Sequence, residues 1–61
     1  MDVLVFGVGF WGKSYFDSNP PFVSIKAFVD NNPPQDNAAY KGVPIIKPSE
    51  ICGHEYDKIV S

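Results

Sequence analysis

Six consecutive residues near the start of the chain, Gly7-Val8-Gly9-Phe10-Trp11-Gly12, carry glycine at the first, third and sixth positions. That spacing suits a loop that cradles a pyrophosphate between a strand and a helix, and each glycine has its own task. Gly7 permits the tight turn out of the strand, Gly9 lets the backbone approach the anion, and Gly12 lets the helix pack closely on the sheet. The free N–H groups and positive dipole end of the helix then hold the negative charge. An acidic residue, Asp30, follows 18 positions after Gly12. At the end of a second strand its carboxylate is placed to accept hydrogen bonds from a ribose. Two blander readings stand beside these. The glycines also suit a strand-to-helix turn whose anion site stays empty, and Asp30 also suits the cap of an Asp-Asn-Asn-Pro turn.

The same stretch satisfies a second pattern, since Gly7 to Ser14 reads G-x-x-x-x-G-K-S. In a phosphate loop of that kind Lys13 reaches the β- and γ-phosphates and Ser14 holds Mg²⁺. Phe10 and Trp11 are bulky for a loop that must wrap around phosphate. Gly9 and Asp30, which the dinucleotide reading explains jointly, would become coincidences. The dinucleotide reading therefore leads, with the phosphate loop as its alternative.

The elements that must position these residues are legible as an alternation of strand and helix. Val3–Phe6 is a β-prone apolar run bounded by Gly7, as a strand buried on both faces of a parallel sheet requires. A helix of about two turns follows over Trp11–Phe16, stopped by Pro20-Pro21. Ser24–Val29 reads as the second strand, and Asn31 to Asn37 as exposed turn chemistry. Gly42–Ile46 is a brief extended piece whose Pro44 suits a sheet edge. Pro48–Cys52 opens a one-turn helix, and Tyr56–Ser61 begins a third strand. This order predicts an α/β fold: a small parallel sheet of three or four strands with short crossover helices. Such a sheet leaves apolar surface uncovered, so residues 1–61 are expected to form one incomplete module that continues into more chain or dimerises.

Composition bounds what else the chain can be. Its 61 residues include 44% hydrophobic and 15% aromatic residues, enough for a packed core but only for one. Five lysines against seven acidic residues leave a formal charge of −2, with no basic footprint for nucleic acid. The single cysteine excludes an internal disulfide and a CxxC zinc site. No apolar run is long enough for a membrane span or a signal peptide, and a reducing, cytoplasmic setting is expected.

Four segments recur together in an order that resembles a known module. They are Val5–Gly9 running on through Trp11-Gly12-Lys13, Ala27–Asn32, Gly42–Ile46 and Tyr56–Val60. The module is the N-terminal Rossmann-like, nucleotide-binding part of bacterial glycan-biosynthesis enzymes: sugar acyltransferases, nucleotide-sugar dehydratase-like proteins and sugar-linked methyltransferases. The resemblance spans nearly the whole chain on short motifs, and it implies a site for NAD(P) or a nucleotide-sugar such as a UDP-sugar. Gly7, Gly9 and Gly12, with the intervening Phe10 and Trp11, would face the diphosphate. Asp30 with Asn31 would correspond to the aspartate pair that meets ribose or base. Asn31 keeps the hydrogen bonding of that pair but loses its second charge. Catalytic machinery lies downstream in those families, so no catalytic residue and no metal ligand is expected in these 61 residues.

Other constellations promise less chemistry. Cys52 and His54 flank Gly53, but no further Cys or His completes a tetrahedral site. A buried cysteine and a loop histidine are expected instead. Glu50, Glu55 and Asp57 read as solvated charges. Trp11 and Tyr15 lie four apart and share a helix face, expected to be core in preference to a patch for a partner domain, while Gly12 and Phe16 occupy the neighbouring face toward the sheet.

Overall fold

The computed structural model describes residues 1–35 and 38–61; Asp36 and Asn37, the end of the expected exposed turn, lie outside the described residues. Five strands and one α-helix follow in the order β1 (Asp2–Phe6), α1 (Phe10–Asp17), β2 (Ser24–Val29), β3 (Ala39–Tyr40), β4 (Val43–Ile46) and β5 (Lys58–Val60), with a 3-10 helix at Pro48–Gly53. They form one sheet of order β3-β4-β2-β1-β5. β1 runs parallel to both β2 and β5, and β2 runs parallel to β4. Only β3 is antiparallel, paired with β4. The α/β class stands, as a mostly parallel mixed sheet.

The strand count is a correction: the described residues form five strands, not three or four. The addition is Ala39–Tyr40, which pairs with Val43 and Pro44 across a two-residue hairpin. Lys41 (φ 49°) and Gly42 (φ 85°) form its turn, and positive φ at both positions is what a type I′ hairpin demands. β4 is consequently not the edge that Pro44 suggested. The fold tolerates this proline because β2 pairs only with Ile45 and Ile46, one step beyond it.

Each strand of the sheet's middle is apolar on both faces because both faces are covered. Val3, Val5, Phe28 and Ile45 form one buried cluster, packed by Tyr15 and Phe16 of α1 and by Tyr40. Leu4, Ala27, Val29 and Ile46 form the other, packed by Ile51 of the 3-10 helix. Strict alternation would bring Lys26 into the ladder. The register instead steps from Val3↔Ile25 to Leu4↔Ala27, leaving Lys26 unpaired and exposed. A one-residue bulge thus keeps a charge out of the core.

At its start β5 is fastened to β1 by a reciprocal pair. The Asp2 amide donates to the Asp57 carboxylate at 2.8 Å, and the Asp57 amide donates to the Asp2 carbonyl at 2.7 Å. Glu50 likewise accepts from the Lys47 amide at 2.9 Å, holding the first turn of the 3-10 helix. Glu50, Glu55 and Asp57 are all exposed, as expected of solvated charges, and two of them also order the backbone. None of the helices is long and apolar enough to cross a membrane, among the described residues.

Candidate functional site

The loop from Gly7 to Gly12 gives three glycines three different environments. Gly7 leaves β1 at φ 99°, a conformation that L side chains rarely adopt, and its amide donates to the Val29 carbonyl at 2.7 Å. Gly12 is buried in the first turn of α1. A β-carbon there would run into the Gly7 carbonyl, so α1 can lie this close to the strand end only without one. Gly9 faces the other way. A β-carbon on it would meet nothing within 4 Å, and its φ of −64° is open to any residue.

Gly9 is also the N-cap of α1, and it supplies no side-chain hydrogen bond to the helix start. Its carbonyl accepts the first helical bond, from Lys13 at 3.0 Å. The first amides of a helix have no partner within the helix. Here no side chain caps them, and the first turn contains no acidic residue. The result is a helix end with its partial positive charge intact.

Asp30 follows β2 directly and lies half-buried beside this loop. One carboxylate oxygen accepts from the Val8 amide at 3.5 Å, a long contact, and the other accepts from the Asn32 amide at 2.9 Å. The second bond is an Asx turn, so the capping role is real. The first ties the end of β2 to the glycine loop. The Asp30 amide completes the arrangement by donating to the Ile46 carbonyl at 2.8 Å. An ionised carboxylate offers about four acceptor positions, so these two bonds leave capacity for a further donor.

The remaining expected residues divide. Phe10 is 89% exposed and Trp11 is 47% exposed. Trp11 stacks on Tyr15 with ring centroids 5.5 Å apart and planes within 9°. For the indole the expectation of core is corrected, whereas Tyr15 is half-buried and packs against the Val3–Phe28 cluster. Gly12 is buried and Phe16 packs on Phe28 with centroids 6.0 Å apart, as expected of the face toward the sheet. Asn31 is exposed. It lines an open groove of about 1090 Å³ with Asn32, Gln35, Ser49 and Ile46, and it is the one member of the expected set that does.

Lys13 is exposed and turned along α1, its ammonium 5.3 Å from the centre of the Tyr40 ring on β3. Tyr40 is a hub that the sequence did not single out. Its hydroxyl donates to Asp17 at 3.0 Å, and Lys41 pairs with the same carboxylate at 2.9 Å. The Lys41 ammonium beside Asp17 holds its carboxyl below the ordinary value, and Asp17 in turn raises Lys41. The Tyr-Lys-Gly-Val order, with glycine at a hairpin position, was the available signal.

Cys52 is exposed, not buried, because Ile51 takes the inward position of the 3-10 helix. Its thiol donates to the Ser49 carbonyl at 3.9 Å. No group of three metal-ligating side chains is present among the described residues. Comparison with protein-family models, curated proteins and solved structures gives no match to this chain.

Proposed function

We propose that this chain is a Rossmann-like module that binds a nucleotide, either NAD(P) or a nucleotide-sugar such as a UDP-sugar, within a cytoplasmic protein of bacterial glycan biosynthesis. The glycan assignment rests on the sequence resemblance. The binding assignment rests on one observation above all: Gly12 is required by its contact with Gly7, whereas Gly9 is required by no protein contact. A glycine that the fold itself does not need, set at an uncapped helix start, leaves room for a ligand's phosphate to approach the backbone. Strand order adds support. Numbered along the chain, the four parallel strands lie in the order third-second-first-fourth, the order of the first four strands of a dinucleotide-binding sheet. The direction of winding reverses beside β1, at the strand end that carries the loop. Asp30 is tied to that loop through Val8, and in this reading its carboxylate would accept from the ribose hydroxyls.

The phosphate-loop alternative needs the Lys13 ammonium over the loop, and the lysine instead lies against Tyr40. Thermal-shift measurements with NAD, UDP-sugars and ATP–Mg at millimolar concentration test the proposal. NAD or a UDP-sugar is expected to raise Tm, because a ligand that binds only the folded chain stabilises it by mass action. Asp30→Ala is expected to weaken that ligand about tenfold, the equivalent of ~1.4 kcal/mol for a charged hydrogen bond. Lys13→Ala is expected to change little. Loss of binding in Lys13→Ala with ATP–Mg as the favoured ligand would establish the phosphate loop. No stabilisation by any of the three would leave a scaffold or dimerisation module.

A further inference from the structure

We draw no further inference here: the strongest candidate, the apolar strip that half-exposed Phe6 and Ile59 form beside the open edge of β5 on the sheet face away from α1, carries nothing because nothing in the structure shows what covers it.

Discussion

The two ends of α1 are held in opposite ways. At its start the attachment is mainly backbone against backbone: Gly12 sits on the Gly7 carbonyl, and no side chain caps the helix. At its finish the attachment is made by side chains. Phe16 packs edge-on against Tyr40 with centroids 5.7 Å apart, Tyr40 donates to Asp17, and Lys41 pairs with the same carboxylate. The finish therefore has its polar groups partnered by the protein, while the start keeps its amides unclaimed by any side chain. A helix fastened firmly without using its N-terminal amides is a helix whose positive end remains available. This contrast is the physical content of the proposed binding role, and it can be attacked from either end.

The largest effect is expected at the start. Gly12→Ala forces α1 away from the strand end, and overpacking of this kind costs up to ~3 kcal/mol, offset by at most ~1 kcal/mol of improved helix propensity. Urea denaturation should show a clear drop in midpoint. Gly9→Ala, with open space at its β-carbon, should cost less than ~1 kcal/mol yet weaken any nucleotide that binds. Equal losses of stability in the two variants would overturn the distinction between a packing glycine and a ligand-facing one. Gly7→Ala comes next, at about 1–2 kcal/mol, through its positive φ and not through any clash.

At the other end the effects are smaller. Tyr40→Phe keeps the aromatic packing and removes the hydroxyl from Asp17, a loss of roughly 0.5–1 kcal/mol if the bond behaves like a single net hydrogen bond. Titration reads the same contact differently. The carboxyl of Asp17 is depressed in the folded chain, chiefly by its bond from Lys41. A depressed folded-state value means stability that is present above the unfolded value and lost as pH falls through the folded one. Acid unfolding of the wild type should therefore steepen below about pH 4, the ordinary range of an aspartate, and Asp17→Asn should flatten that part of the profile. An unchanged acid limb in Asp17→Asn would show that the pair does not persist in solution.

The contrast also explains what could be read in the sequence and what could not. Backbone demands leave a signature in residue type. Glycine at positions 7 and 12, apolar runs at β1 and β2, and proline after the first helix therefore predict that end of the fold well. Side-chain attachments leave little trace, because they join residues far apart in the chain. Asp17 meets Tyr40 and Lys41 across more than 20 positions, and Asp2 meets Asp57 across 55. β3 has only two residues, too few for any period to be recognised. The Lys26 bulge hides for a related reason: nothing in an alternating pattern says which residue a strand will skip. Residue type alone favours burial of Trp11 and Cys52, whereas Trp11 lies exposed in the first turn of α1 and Ile51 takes the inward position beside Cys52.

The last test sits where the two kinds of attachment meet. Lys41 occupies the first turn position of the hairpin at φ 49°, which asparagine and glycine adopt more readily than lysine. Its ammonium also pairs with Asp17 in an exposed setting, where ion pairs contribute little and are screened by salt. Lys41→Asn therefore relieves one unfavourable term and removes one weakly favourable term, and little net change in urea midpoint is expected at low salt. The two terms separate when ionic strength rises to about 1 M, where the Debye length falls to ~3 Å. The wild type should lose its advantage from the pair while Lys41→Asn stays where it was, so the variant becomes the more stable of the two. If the order of stability is the same at both salt concentrations, the hairpin is held by its aromatic contacts to Phe16 and Phe28 alone, and the charged half of the attachment at the end of α1 is ornamental.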